Sequence, residues 1–299
     1  MGPVVKLCLA LTLAIIGLRL AEQQKMTSEQ IDALWDFSNP AASHKKFEAA
    51  LTKSPESANE LRTQICRSLG LQRKFDEGWA VLAKIPANHD PIVEVRIQLE
   101  SGRLKNSSGE KQAARPYFDK AFELAVEGKF DFYAVDAAHM LGIVTTGNES
   151  LDWTEKAIQM ATASKDDRTQ NWNGSLLNNL AWTYHDMGEF DKTLTKFQAA
   201  LEFRQKQEDA DRTRIAKWSV ARCLRSLKRY EEALQIQREL EKGPNDGYVW
   251  EEIAELLLAT NKMHEAKPYF QKAYDALIQD QWLRENEKER LSRMDNLAG

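Results

Sequence analysis

Cysteine, proline and glycine are all scarce in this chain of 299 residues, which contains 3 Cys, 8 Pro and 14 Gly. The cysteines Cys8, Cys66 and Cys223 lie far apart and match neither a disulfide framework nor a zinc-binding spacing. Cys66 and Cys223 fall within apolar helical stripes, so we expect both to be small core residues. The low glycine and proline content excludes collagen-like and low-complexity segments and is typical of an ordinary helical protein.

Sequence motifs of catalysis are missing as well. The chain has no glycine-rich phosphate loop, no HEXXH zinc motif, no CXXC pair and no GXSXG nucleophile elbow. Asp136 and His139, three residues apart on a predicted helix, have the spacing of two metal ligands or of a base and the acid that orients it. We interpret this pair as structural or solvated. The sequence therefore predicts no enzyme, no metal site and no cofactor.

An excess of positive charge is also lacking. Lys and Arg number 41 against 45 Asp and Glu, which gives a net charge of −4 and a pI near 5.9. Nucleic-acid binding needs an electropositive footprint, so we expect no nucleic acid as a partner. The apolar run from Leu7 to Leu18 is too short for a comfortable membrane span, and we expect no stable one.

The same run has the length of the hydrophobic core of a secretory signal peptide. Its cleavage site is poor, because Arg19 would occupy a position that prefers a small residue. Met26 offers a second start directly before a helix-capping sequence with an early acid. We expect residues 1–25 to be a spurious or poorly functional leader on a cytoplasmic protein. The alternative is a real signal or anchor, which would make the protein secreted or membrane-anchored.

What the chain does contain is an internal repeat. The segment from Ala114 to Phe122 reads ARPYFDKAF and recurs from Ala266 to Tyr274 as AKPYFQKAY. A pattern of small, large and small residues, spaced by four and then three, marks one buried helix face in each repeat. Its members are Ser43/Phe47/Ala50, Gly78/Leu82/Ile85, Ala114/Phe118/Ala121, Thr154/Ile158/Ala161, Thr193/Phe197/Ala200, Ala233/Gln237/Leu240 and Ala266/Phe270/Ala273. This register assumes lengthened turns at residues 105–109 and 145–150, and it places Gln237 where an aromatic residue is expected.

A second apolar stripe precedes most of these triplets and marks the first helix of a helix pair. In the best repeat the stripe is Leu177, Leu180, Ala181 and Tyr184, followed by Gly188, Phe190, Phe197 and Ala200. This pattern resembles the tetratricopeptide repeat (TPR), and the resemblance covers residues 28–278. The longer spacings are similar to those of kinesin light chains. The strings DFYAVDAAHM, from residue 131, and NNLAWTYHD, from residue 178, resemble an uncharacterised TPR group.

The resemblance implies an all-α protein, an α-solenoid that winds about seven helix hairpins into a right-handed superhelix. We assign residues 26–278 to the solenoid and residues 279–299 to a polar capping helix and tail. In TPR stacks the first helices line a concave groove. Positions beside their buried stripes are then the candidate binding residues, and they are Asp136, His139, Asn178, Asn179, Trp182, His185, Trp218, Arg222, Arg225, Glu251, Glu252 and Glu255.

Two tryptophans beside amide and guanidinium groups have the composition of a binding hot spot. The alternative is that Trp182 and Trp218 pack into neighbouring repeats. Arg222 and Arg225 would form a basic floor that could converge on a carboxylate. The three glutamates of the last repeat would form an acidic end, and this polarity would orient an extended peptide.

The sequence thus predicts a non-enzymatic scaffold or adaptor that binds a protein or peptide segment, one carrying an acidic or carboxylate group, in its groove. A second hypothesis is a ligand-responsive sensor that closes around a short peptide or small anion. A third is an enzyme that uses Asp136 and His139.

Overall fold

The structure is a computed structural model that describes residues 25–299, and these residues form helices joined by short turns, with no β-strand among them. They separate into two compact units, of which unit 1 ends at Thr169 and unit 2 runs from Gln170 to Gly299. Nothing in the repeat pattern of the sequence indicates this division. Successive hairpins pack against their sequence neighbours within each unit. The predicted all-α solenoid of helix hairpins is confirmed.

Unit 1 contains four helix pairs. Their bounds are α1 (Ser28–Asp32), α2 (Pro40–Lys53), α3 (Ala58–Leu71), α4 (Phe75–Leu82), α5 (Pro91–Ser107), α6 (Lys111–Glu127), α7 (Asp131–Val144) and α8 (Gly147–Ala163). A short helix, α9 (Asp167–Gln170), stands at the boundary of the units. Helix α1 begins as the sequence predicts, because Thr27 and Gln30 form a reciprocal capping box.

Unit 2 contains three helix pairs and two terminal helices. Their bounds are α10 (Asn173–Asp186), α11 (Phe190–Lys206), α12 (Ala210–Ser226), α13 (Tyr230–Glu241), α14 (Gly247–Ala259), α15 (Met263–Leu277), α16 (Gln281–Asn286) and α17 (Lys288–Ala298). Two helices therefore occupy the stretch assigned to a single capping helix. Leu283 and Met294 are buried in the same cluster as Phe270, whereas Trp282 is 52% exposed.

The cores of both units contain a phenylalanine from the second helix of a pair, and Phe47, Phe118, Phe197 and Phe270 are all buried. The helix opposite must then carry a small residue. At Gly102 on α5, an added Cβ atom would lie 2.5 Å from the ring of Phe118, which is closer than van der Waals contact allows. The alternation of small and large residues in the sequence therefore reflects close helix packing.

The register predicted for the fourth repeat is wrong by one helical turn. Helix α8 begins at Gly147 and buries Ser150, Thr154, Ala157 and Ala161, while Ile158 is only half-buried. The predicted lengthened turns do not form, because residues 105–107 and 147–150 are helical and extend α5 and α8 instead. Thr154 thus takes the place that a phenylalanine occupies in other repeats.

Two further residues match their expected positions. Cys66 and Cys223 are buried and unpaired, as expected for core residues, and burial raises the pKa of the Cys223 thiol to about 11. Gln237 is fully buried in the place of the expected aromatic ring, and neither its amide nitrogen nor its amide oxygen has a hydrogen-bond partner. Cys8 and the proposed leader, apart from Lys25, lie outside the described residues.

Candidate functional site

The first helices of unit 2 place ten of the predicted residues on one side of that unit, which we call the first-helix face. Helix α10 carries Asn178, Asn179, Trp182 and His185, and helix α12 carries Trp218, Arg222 and Arg225. Helix α14 carries Glu251, Glu252 and Glu255. Side chains connect the neighbouring helices, since Ser219 on α12 lies 3.5 Å from the amide oxygen of Asn178. The ten residues thus lie on three first helices of one unit, and their role in binding stays a prediction.

The centre of this face is an ionic cluster of Arg222, Arg225 and Glu252. Arg225 binds Glu252 with two parallel hydrogen bonds, from Nε and Nη2, each 2.8 Å long. The Nε atom of Arg222 lies 3.2 Å from Oε1 of the same carboxylate. Two guanidinium groups therefore share one carboxylate, and the cluster carries one positive charge in excess.

A second set of contacts fixes the side chain of Arg222. Its Nη1 atom donates to the hydroxyl of Ser226 at 2.9 Å, and the Nε2 atom of His185 lies 2.9 Å from the same hydroxyl. Burial, with Arg225 beside it, lowers the pKa of Arg222. Burial and the charge of Arg222 likewise lower the pKa of His185, so His185 is neutral at pH 7. A carboxylate placed here would offset the repulsion between Arg222 and Arg225.

The predicted separation of a basic floor from an acidic end is wrong. Glu252 is buried, and its negative charge neutralises one of the two positive charges of Arg222 and Arg225. Glu251 is held by Arg290, whose Nε donates at 2.7 Å, and Glu255 is held by Arg293, whose Nη2 donates at 3.1 Å. Both arginines belong to α17, so the terminal helix neutralises the glutamates that were expected to face a ligand. Only the arginine pair retains an uncompensated charge.

Both tryptophans lie at the first-helix face, with ring centroids 6.3 Å apart. Each is half-buried and also packs inward. The ring of Trp182 meets Phe197 edge-on at 5.0 Å, and Nε1 of Trp218 donates to the carbonyl oxygen of Tyr248 at 3.1 Å. The interpretation of both tryptophans as packing residues therefore holds, and their part in a binding hot spot stays a prediction.

Asp136 and His139 lie in unit 1 and belong to a different cluster. Asp136 is buried and accepts two hydrogen bonds from Nη2 of Arg103, at 2.5 and 2.6 Å. Arg103 also donates from Nη1 to Glu100 at 2.6 Å. Burial, with Arg103 and Arg67 nearby, lowers the pKa of His139 to about 4. The carboxylate expected to orient His139 is thus engaged by an arginine that the sequence analysis missed.

The sequence does indicate some of the ion-pair partners that were not among the predicted site residues. Glu100 and Arg103 occupy the same repeat positions as Asp136 and His139, 36 residues earlier, with the same spacing of three. Arg290 and Arg293 were likewise treated only as part of a polar tail. Their carboxylate partners lie on other helices, so the pairing could be found only by placing the helices side by side.

Two features are absent from the residues that the structure describes. Within residues 25–299, no group of three or more His, Cys, Asp or Glu side chains has an arrangement that could hold a metal ion. None of the helices described in this range is long and apolar enough to cross a membrane.

Stacked helix hairpins with a polar, aromatic first-helix face define an α-solenoid of the repeat type. Profiles of the tetratricopeptide repeat match residues 172–242 and 248–276. Residues 172–242 and 248–276 of the chain therefore contain tetratricopeptide repeats. No curated protein sequence matches it significantly.

Solved structures agree on the fold. TPR-like repeats of a putative kinesin light chain from Podosopora anserina align with a TM-score of 0.51 and 14% identity, over 62% of this chain and 95% of that one. NprR in complex with its cognate peptide NprX aligns with a TM-score of 0.59 and 16% identity, over 90% of this chain and 82% of that one. The apo form of RapI aligns with a TM-score of 0.58 and 13% identity, over 85% and 77%.

Proposed function

We propose that the protein is a non-enzymatic scaffold or adaptor that binds a peptide segment of a partner protein on the first-helix face of unit 2. The observation that carries this proposal is the sharing of Glu252 by Arg222 and Arg225. One positive charge remains at a half-buried position, one helical turn from Trp218 on α12. Such a position favours a carboxylate, because partial burial strengthens the attraction and the rings supply apolar contact area.

The roles of the individual residues follow from their contacts. Arg225 gives two hydrogen bonds to Glu252 from one edge of its guanidinium group, so we assign it to orienting the cluster and not to the ligand. Arg222 has only one hydrogen bond, to Ser226, and one looser contact with Glu252. It is therefore the group we assign to the ligand carboxylate. Asn178 and Asn179 lie on the adjacent helix, where amide side chains suit the backbone of an extended peptide.

The peptide class of the ligand has independent support from the TPR fold itself. NprR, which shares this fold, was solved with its cognate peptide NprX. The ligand proposed for this chain is an acidic segment or a chain end with a free carboxylate. No proton transfer or bond cleavage is assigned to Asp136 and His139, because Arg103 occupies the carboxylate of Asp136.

The test is a comparison of two arginines on α12. Acidic peptides selected from an array would be titrated into the wild type, an Arg222→Ala variant and an Arg212→Ala variant. The side chain of Arg212 is 59% exposed and pairs only with Asp209, so it is a matched control for loss of one charge. We expect Arg222→Ala to weaken binding about tenfold or more, as for a central interface arginine. Equal loss in the two variants would contradict the assignment.

A peptide-responsive sensor is a second candidate, and the similarity to the NprR complex favours it. A sensor would change its hydrodynamic radius when peptide binds, whereas a scaffold would not. Small-angle scattering with and without the selected peptide separates these two functions.

We further propose that the protein acts in the cytoplasm, and the unpaired state of Cys66 and Cys223 supports a reducing compartment.

A further inference from the structure

The loop between α1 and α2 presents two aromatic rings at the surface of unit 1. Trp35 and Phe37 are stacked with their planes 4° apart and their centroids 4.7 Å apart. The inner ring is fixed, because Nε1 of Trp35 donates to Gln64 on α3 at 2.9 Å and its face meets Phe47 edge-on at 5.0 Å. Phe37, in contrast, is 58% exposed.

The backbone of this loop is also held in place. The amide of Asp36, between the two rings, donates to the hydroxyl of Ser43 at 2.7 Å. That hydroxyl donates in turn to the carbonyl oxygen of Asp36 at 3.0 Å. A large apolar ring is therefore displayed on a fixed support, without the ordering cost that a free loop would have on binding.

A guanidinium group stands at the edge of this stack. The Cζ atom of Arg67 on α3 lies 5.6 Å from the centroid of Trp35 and 5.3 Å from that of Phe37. Since the two distances are nearly equal, Arg67 lies beside both rings and leaves the outer face of Phe37 uncovered. Among residues 25–299, no carboxylate oxygen lies within 4.0 Å of Arg67.

Two acidic groups, Glu100 and Asp136, lie close enough to act on the charge of Arg67. Both accept hydrogen bonds from Arg103, and Oε2 of Glu100 has no hydrogen-bond partner. Arg67 is half-buried and forms no direct ion pair with either carboxylate. Arg67 is therefore a partly buried cation with no carboxylate of the described residues at ion-pair distance. The combination of an uncovered aromatic face and a cation at its edge matches an aromatic group that carries a carboxylate.

We propose that Trp35, Phe37 and Arg67 form a second binding site, which takes a peptide chain end whose last residue is aromatic and has a free carboxylate. The ligand ring stacks on the outer face of Phe37, and the carboxylate accepts two hydrogen bonds from Arg67. This site does not depend on the first-helix face of unit 2, and its ligand contacts none of the residues proposed there.

The experiment uses the full chain and a hexapeptide that ends in 4-fluorophenylalanine, observed by fluorine NMR. The probe would be titrated as the free acid and as the C-terminal amide. We expect the amide to bind about tenfold more weakly, since it loses the charge that pairs with Arg67. Phe37→Ala should weaken binding of the acid about fivefold or more by removing the stacking surface.

Three variants complete the test. Arg67→Gln should lower the affinity of the free-acid probe to that of the amide probe. Val126→Ala truncates another exposed apolar residue of unit 1 (48% exposed) and should leave both affinities unchanged. The titrations would also be run in the Arg222→Ala background, which removes the carboxylate site proposed in unit 2. Binding that depends on Phe37 and Arg67 should persist there, so failure here and failure of the unit 2 site are distinguishable. Phe37 is exposed, so its truncation reports on binding without unfolding the unit. Equal binding of acid and amide, or unchanged binding in Phe37→Ala, would overturn the proposal.

Discussion

Arg168 donates a 2.7 Å hydrogen bond to Asp32, a residue 136 positions earlier in the chain. The other oxygen of the same carboxylate accepts from Arg96 on α5, which also binds Glu60 on α3. Asp32 therefore ties the first helix of unit 1 to the segment that follows its fourth helix pair. Repeat proteins are usually stabilised between neighbours only, so this contact adds a long-range constraint.

Replacing Asp32 by asparagine should destabilise unit 1. Arg96 is 2% exposed and would retain Glu60 as its only carboxylate partner, while Arg168 would lose its closest one. Removing one partner of a buried ion pair typically costs about 3 to 5 kcal/mol, and we expect about 2 to 4 because Glu60 remains. Urea unfolding of the wild type and the variant measures this difference. An unchanged midpoint would show that the contact contributes little.

Replacing Gln237 by methionine should stabilise the protein. The buried amide of Gln237 has no hydrogen-bond partner, and methionine fills nearly the same volume without polar atoms. Removing an unsatisfied buried polar group should raise the free energy of unfolding by about 1 to 2 kcal/mol. Gln237→Glu is the matched control and should be strongly destabilising. If methionine also lowers the melting temperature, the amide must have a partner, such as a buried water.

His139 should make the protein sensitive to acid. Its folded-state pKa of about 4 lies below its ordinary value of 6.5, so protons bind preferentially to the unfolded chain as the pH falls below 6.5. This lowers the free energy of unfolding by about 1.4 kcal/mol for each pH unit from 6.5 down to 4, which amounts to about 2 kcal/mol at pH 5.

The check is denaturant unfolding at pH 7 and pH 5 of the wild type and His139→Asn. The variant should lose about 2 kcal/mol less than the wild type between these values. Burial raises the pKa of Glu100, so this group makes unfolding less favourable as the pH falls. Glu100 is present in both proteins, and its contribution cancels in the comparison. Equal losses in both proteins would mean that His139 titrates normally.

The fold could be predicted from the sequence because each repeat contains its own pattern of small and large buried residues. Phe118 and Phe270 recur within nearly identical strings, and helical spacing places each on a buried face. The register predicted for the fourth repeat is wrong because Thr154 stands where other repeats have a large residue. The pattern therefore takes Ile158 as the central residue of this repeat instead. A small residue at the core position leaves two registers that differ by one turn, and only the packed helices distinguish them.

The helix faces that carry the candidate residues could be predicted from the sequence, but the ion pairs among these residues could not. Counting along α10, α12 and α14 identifies which residues share a face, since helix periodicity fixes direction. It does not show that Glu252 reaches Arg225, or that Arg290 reaches Glu251, because these distances depend on how neighbouring helices are aligned. Similarly, nothing in the sequence around Trp35 indicates that its ring stacks on Phe37 beside Arg67.

Site-specific photo-cross-linking shows whether a peptide binds on the first-helix face of unit 2. A benzophenone amino acid would replace Asn179 on α10 in one variant and the exposed Gln198 on α11 in another, each mixed with the selected acidic peptide. We expect cross-linking from position 179 only, at a lower yield when Arg222→Ala is added. Cross-linking from position 198 and not from 179 would place the binding surface elsewhere and overturn the proposed function.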